Sequence, residues 1–161
     1  MMGGNVLWAL AVVASLLPAV LADRCRPEYL PLIGTCVKVV ATPITWNEAR
    51  ARCQAEDPPA DLLTINPPER LEELTRLLNA HFKEQTASRY SYWVGGQGTN
   101  NNWRWVDNSK LSVKSNLWLP DHPTAGQSGF TRLIQASTLH KRRYLESRDE
   151  RTIIEGFICE H

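Results

Sequence analysis

The sequence predicts an α+β fold with antiparallel sheets, and three observations carry that prediction. Two stretches in the first half place apolar residues at helical spacing behind N-capping residues. The second half is a run of short alternating segments separated by turn residues. Helices come first and strands later, without the strand–helix–strand alternation that builds a parallel sheet.

The first segment stands outside this domain. Residues 1–22 carry no charge, and Val6 to Val20 reads VLWALAVVASLLPAV. That run is long enough for the core of a signal peptide and short for a membrane span. Val20-Leu21-Ala22 puts modest or small residues at the minus-three and minus-one positions of a cleavage site, and Asp23 and Arg24 open a polar chain. The opening MMGGN lacks Lys and Arg, so an uncleaved anchor is the alternative. The expectation is a signal peptide at 1–22, a domain at 23–161 and a secreted, extracellular protein. No other apolar run is long enough to span a bilayer, so no membrane insertion is expected after cleavage.

Secretion changes how the cysteines read. Cys25, Cys36, Cys53 and Cys159 are even in number and lie in the mature part, as expected for two disulfides in an oxidising compartment. Four cysteines allow three pairings, and spacing alone does not choose. There is no CxxC and no paired His at ligand spacing, which argues against zinc. With 18 Lys+Arg against 17 Asp+Glu the chain lacks the basic excess of a nucleic-acid binder.

The elements follow in order. Thr45-Trp46-Asn47-Glu48 fits a capping box, with a hydroxyl at the N-cap and a Glu three residues later. Trp46, Ala49 and Cys53 recur at helical spacing, so Cys53 belongs to the buried face, and Pro58-Pro59 is expected to end this helix. Asn66-Pro67-Pro68-Glu69 reads as the start of a second helix: Asn caps, Pro suits the first turn and Glu69 completes the box. Leu71, Leu74, Leu77, Leu78 and Phe82 form its apolar stripe, while Glu69, Arg70, Glu72, Glu73 and Arg76 read as a solvated face.

Tyr90, Tyr92 and Val94 then alternate with Ser91 and Trp93, as in a strand that Gly95-Gly96 ends or bends. Gly98 to Asn102 is turn material. Trp103 and Trp105 share one face of the next strand. Residues 107 to 129, opened by polar residues and containing Trp118, are long for a connection, and such loops are often functional. Thr131 to Ala136, Arg143 to Glu146 and Thr152 to Cys159 supply the last strands. Trp46, Trp93, Trp103 and Trp105 are expected in the core.

Taken in order, these pieces resemble the C-type lectin-like domain family over nearly all of the mature chain. The resemblance rests on Cys25-x(10)-Cys36, the Thr45–Cys53 helix, Asp61-Leu62-Leu63-Thr64-Ile65, Tyr92-Trp93-Val94-Gly95-Gly96, Trp103-Arg104-Trp105 and the closing Gly156-Phe157-Ile158-Cys159-Glu160. It implies two helices, two small antiparallel sheets and a long loop region. It also implies the pairings Cys25–Cys36 and Cys53–Cys159. The family's further inner disulfide is replaced: its positions match Thr131 and Arg151.

The departures bear on function. The family's sugar site uses a calcium ion, a hard cation that takes six to eight oxygen ligands. The proline triplet that supplies some of them matches His122-Pro123-Thr124, and the Trp-Asn-Asp triplet matches Glu146-Ser147-Arg148. An imidazole and a guanidinium thus stand at ligand positions, and a guanidinium neither ligates calcium nor tolerates it. The usual calcium-dependent site is therefore not expected, unless Asp121 or Asp149 supplies the missing acid. A second family calcium site would want a carboxylate at about Arg70, with Glu69 and Glu160 nearby in the pattern. No resident cofactor or metal is expected.

The candidate ligand-binding residues are Asp121, His122, Thr124, Gln127, Ser147 and Arg148. His140, Lys141, Arg142 and Arg143 form a basic cluster that reads as a solvated hairpin turn or as a patch for anionic glycans. No catalytic motif is present, so no catalytic residues are assigned and no enzyme is expected. The function expected from the resemblance is secreted recognition of carbohydrate or microbial surfaces, in the manner of innate immunity. The alternative is a protein-binding member of the same fold, using the 107–129 loop surface against a protein ligand.

Overall fold

The computed structural model of the chain describes residues 25–82, 90–136 and 142–161. The expected signal segment at 1–22 lies outside the described residues. Among the described residues, no helix is long and apolar enough to cross a membrane.

The chain order is β1 (Leu30–Leu32), β2 (Thr35–Val40), α1 (Trp46–Gln54), β3 (Asp61–Leu62), α2 (Arg70–His81), β4 (Tyr92–Thr99), β5 (Asn102–Trp105), β6 (Lys110–Leu111), β7 (Gly129–Gln135), β8 (Arg143–Arg148) and β9 (Gly156–Glu160). The α+β class and the two helices are as expected. The sheets differ from the expectation of two separate antiparallel ones. A parallel pairing of β4 with β9, at Tyr92↔Gly156 and Trp93↔Phe157, joins all the ladders into one mixed sheet. The main path is β1-β2-β9-β4-β5-β6, with β7 and β8 branching from β4.

β4 is the hub of that arrangement. It does not alternate inside and outside: residues 91–96 are all buried, because helices cover one face and the loop side covers the other. Of the two expectations for Gly95-Gly96, an end or a bend, the strand shows the second: it runs through to Thr99 with a register shift between Trp93 and Gln97. Gly96 is needed there. A Cβ would sit 2.5 Å from the Thr131 side chain, whose hydroxyl accepts the Gly96 N–H at 2.9 Å. Thr131, at a matched position of the family's missing disulfide, is thus a buried hydrogen-bonded staple between β7 and β4.

The core lies on both faces of the sheet. Under α1, the buried Trp46, Ala49 and Cys53 pack with Trp93, Phe157 and Cys159. The two indoles are satisfied reciprocally: Trp46 Nε1 donates to the Val94 carbonyl at 2.8 Å, and Trp93 Nε1 donates to the Ile44 carbonyl at 2.9 Å. Under α2, Leu71, Leu74 and Leu78 pack with Tyr92, Val94, Trp103, Trp105 and Trp118. Each fully buried large apolar side chain contributes roughly 1.5–3 kcal/mol. The cysteines pair as Cys25–Cys36 and Cys53–Cys159, and the second bridge fastens α1 to β9.

Helix ends explain two further differences. The α1 capping geometry is present: the Glu48 carboxylate accepts the Thr45 N–H at 3.1 Å and the Thr45 hydroxyl at 2.6 Å. The helix stops at Gln54, before Pro58-Pro59, where the Ala55 N–H closes onto the carbonyls of Ala51 and Cys53. α2 begins at Arg70, not directly after Asn66. Arg70, Leu71 and Glu72 donate to the carbonyls of Pro67, Pro68 and Glu69, a tight three-residue turn, while the Asn66 side chain is spent on Ser109 Oγ at 3.3 Å.

The 107–129 segment is anchored rather than draped. Leu119 donates to the Leu145 carbonyl at 2.9 Å and Leu145 donates to the Leu117 carbonyl at 2.7 Å, so the segment runs along β8. Trp118 is buried and its indole N–H reaches the Ser112 carbonyl at 3.0 Å. This anchoring brings residues 121–124 beside the end of β8. At Gly129 a Cβ would collide with the Arg148 carbonyl, so only a glycine lets β7 start this close to β8.

Candidate functional site

The antiparallel pairing of β7 and β8 sets Arg132 opposite Glu146, Thr131 opposite Ser147 and Phe130 opposite Arg148. Opposite residues share a face, so Arg132 and Glu146 meet directly. Arg132 donates through Nε to Glu146 Oε2 at 2.7 Å, and Arg148 donates through Nη2 to Glu146 Oε1 at 2.6 Å. Glu146 is buried, so both of its oxygens are committed to guanidinium groups. Arg132 also donates to Ser91 Oγ at 3.3 Å, and Ser91 donates on to Glu155 at 2.7 Å. The result is a chain of alternating charge running Glu155, Ser91, Arg132, Glu146, Arg148.

The loop closes over its end. His122 Nδ1 accepts the Ser147 N–H at 3.3 Å and lies 3.1 Å from Ser147 Oγ, which in turn accepts the Thr124 N–H at 3.2 Å. Because Nδ1 is the acceptor, the neutral ring carries its proton on Nε2. That nitrogen points at Glu146 Oε1, 3.6 Å away. Burial holds the His122 pKa below its ordinary value; the Glu146 and Asp121 carboxylates oppose this, and the Arg148 and Arg132 charges reinforce it. A neutral His122 is therefore what latches residues 122–124 onto β8.

The structure thus brings His122, Thr124, Ser147 and Arg148 together around Glu146 and the end of β8. Asp121 is exposed and holds a left-handed backbone conformation at φ 68°. Gln127 is exposed, and its N–H donates to the Thr124 carbonyl at 3.2 Å. Asp149 accepts the Arg151 N–H at 2.9 Å in the turn after β8. Glu146 and Arg132 were not among the sequence candidates. Their signal was a charge pair set by hairpin register, which cannot be counted until the turn length is known.

A calcium ion does not fit this donor set. The carboxylate in the place, Glu146, is held by two guanidinium groups, and its neighbours are an imidazole and hydroxyls. Among the described residues, no three of His, Cys, Asp and Glu stand close enough to hold a metal ion together.

Arg70 corrects the sequence reading. It does not belong to a solvated face but is buried, with its side chain only 7% exposed. It donates to Glu160 Oε2 at 2.9 Å, to the Thr64 carbonyl at 2.8 Å and to the Asn66 carbonyl at 3.3 Å. Thr64 donates its N–H and hydroxyl to Glu160 Oε1 at 2.8 and 2.6 Å. A guanidinium therefore occupies the space between these oxygens, and no carboxylate stands at position 70 for a second calcium.

The basic cluster is also corrected. His140 and Lys141 lie outside the described residues. Arg143 is not a surface cation: it is fully buried, 5.7 Å from the Tyr92 ring centre, and among the described residues no hydrogen-bond partner reaches its three nitrogens. The two-residue period of β8 turns it inward with Leu145. Arg142 faces out, lies over the Tyr144 ring at 5.0 Å and donates to the Asn116 carbonyl at 3.2 Å. It borders a groove of about 550 Å³ between α2 and the loop, with Leu71, Thr75, Arg76 and Asn79 on the other wall.

With this geometry in hand, the chain can be set beside known proteins. Residues 42–161 match the model of the lectin C-type domain family. The chain is similar to C-type lectin 1 of Hydrophis hardwickii, with 26% identity over 140 residues, which are 84% of this chain and 79% of that protein. In fold it is similar to the C-type lectin domain of murine dendritic cell inhibitory receptor 2, solved in complex with an N-glycan. That match has a TM-score of 0.68 at 16% identity and covers 85% of this chain and 98% of that one. It is equally similar in fold to the calcium-independent C-type lectin SPL-2 from Saxidomus purpuratus, with a TM-score of 0.68 at 20% identity over 86% of this chain and 94% of that one.

Proposed function

The chain belongs to the C-type lectin domain family, and on that premise we propose that it is a secreted recognition protein that binds carbohydrate without the usual calcium ion. The binding surface is the one formed by His122, Thr124, Ser147 and Arg148 where the loop meets β8. The observation that carries this reading is the state of Glu146: both carboxylate oxygens are engaged by Arg132 and Arg148. Recruiting calcium there would require breaking two charge-assisted hydrogen bonds beside two positive charges. In this reading the protein binds and does not transform its ligand: the Ser147 hydroxyl lies 3.1 Å from His122 Nδ1, but Ser147 is buried and its hydroxyl accepts the Thr124 N–H, so the pair serves as a latch.

Several findings support the reading. The murine domain with this fold was solved with an N-glycan, and the Saxidomus protein with this fold is named calcium-independent. Recognition of sugars without the ion is thus compatible with the architecture. The charge-free stretch at 1–22 directs the chain to secretion, and two disulfides suit an oxidising compartment. Glycans on microbial or host surfaces are the partners in this reading.

The experiment is a glycan array probed with the purified protein, with and without a chelator. Binding that survives the chelator is expected. Binding abolished by the chelator would overturn the calcium-independent reading. A blank array in both conditions would overturn carbohydrate recognition in favour of a protein ligand on the 107–129 surface.

A further inference from the structure

The surface around Arg148 is rich in hydrogen-bond donors and poor in acceptors. The alternating charge chain that starts at Glu155 ends on Arg148, so Arg148 shares its single acid, Glu146, with Arg132. Its side chain is 41% exposed, and one N–H donation to Glu146 is the whole of its bonding among the described residues. A guanidinium has five N–H donors, which leaves a free edge facing solvent. The Thr124 hydroxyl, with no intramolecular partner among the described residues, adds another donor, while the His122 Nε2 proton is turned toward Glu146. The Ser147 hydroxyl is already spent between Thr124 and His122. Among the nearby acids, Glu146 is buried and neutralised, and the Asp149 carboxylate is engaged by the Arg151 N–H. Asp121 is exposed beside His122.

We propose that this site selects acidic sugars, with a carboxylate or sulfate ester seated on the free edge of the Arg148 guanidinium. This rests on the reading of the same surface as the carbohydrate site and names its ligand class. A metal ion accepts electron pairs from neutral sugar hydroxyls; a guanidinium fork instead matches the paired oxygens of a planar or tetrahedral oxyanion. Thr124 completes the seat by donating its hydroxyl to a ring or hydroxyl oxygen beside the acid, and His122 holds that loop residue in place through Ser147.

The test compares matched ligand pairs in the presence of a chelator: sialyllactose against lactose, and a sulfated N-acetyllactosamine against its unsulfated parent. The wild-type protein is expected to bind at least one acidic member about tenfold or more tightly than its neutral parent, and the advantage should shrink as salt is raised. The two pairs separate carboxylate from sulfate. Arg148→Gln is expected to abolish the advantage, and Arg148→Lys to keep part of it, with the circular dichroism spectrum of both variants that of the wild type because Arg132 still holds Glu146. Equal affinity for acidic and neutral members, lost together on Thr124→Val, would overturn the acidic specificity while leaving carbohydrate recognition intact. An acidic preference that survives Arg148→Gln and disappears with Arg142→Ala would also overturn the assignment. Failure to bind any member would overturn the reading on which it rests.

Discussion

Replacing Arg70 with methionine tests how the chain holds its last strand. The side chains of Arg70 and Glu160 are 7% and 16% exposed and meet at 2.9 Å. Methionine keeps most of the apolar stem and removes the charge. Glu160 would retain the Thr64 N–H and hydroxyl at 2.8 and 2.6 Å, but the carbonyls of Thr64 and Asn66 would lose their donor. Breaking one partner of a buried pair costs about 3–5 kcal/mol because an uncompensated charge remains. The retained Thr64 bonds place this site near the lower bound, about 3 kcal/mol. For a domain of this size that corresponds to a melting temperature lower by roughly 10 °C. Urea unfolding followed by tryptophan fluorescence, with disulfides intact, measures it directly, since Trp46 and Trp93 are buried. Glu160→Gln and the double variant complete the cycle, and a coupling above about 1 kcal/mol is expected. An Arg70→Met midpoint matching the wild type would refute the claim that this pair fastens the start of α2 to β9.

Three further outcomes follow from the same contacts. The His122 pKa lies below its ordinary value of 6.5, so its contribution to stability is complete above that pH and is lost as the pH falls through the folded value; melting temperature from pH 7.5 to 5 should fall less in His122→Gln than in the wild type. Arg143→Met removes a buried guanidinium with no hydrogen-bond partner among the described residues and should be neutral or stabilising by roughly 1–4 kcal/mol in urea titration, whereas a clear loss would show that the charge is compensated. Serine at Cys53 and Cys159 opens a loop of separation 106 and should cost about 5 kcal/mol, against about 3 kcal/mol for the Cys25–Cys36 bridge of separation 11, as read from denaturation midpoints.

What could be read in advance depended on whether the determining contact was local. The α1 capping box and its Trp46, Ala49 and Cys53 face were legible because residues within one helical turn decide them. The start of α2 was not, because Asn66 had a distant competitor in Ser109. Arg70 looked like a surface residue because its acid lies 90 positions further on. Gly95-Gly96 reads locally as an end or a bend of the strand; what chooses is distant, since these glycines mark places where the Leu62 carbonyl and Thr131 approach the strand closely. At the site, the order of family segments led to His122, Thr124, Ser147 and Arg148. The Arg132–Glu146 clamp depended on hairpin register across a turn of unknown length. Arg143 differs from both expectations for the basic run, a solvated hairpin turn or a patch, because it is the first residue of a strand with an inner and an outer face.

In the function proposed above, the guanidinium groups of Arg132 and Arg148 stand in place of a calcium ion where the loop meets β8. Calorimetric titration of the purified protein with calcium tests it most directly. No saturable heat is expected in the micromolar range, and no change on replacing Asp121 or Asp149 with alanine. Micromolar binding that either substitution abolishes would contradict it.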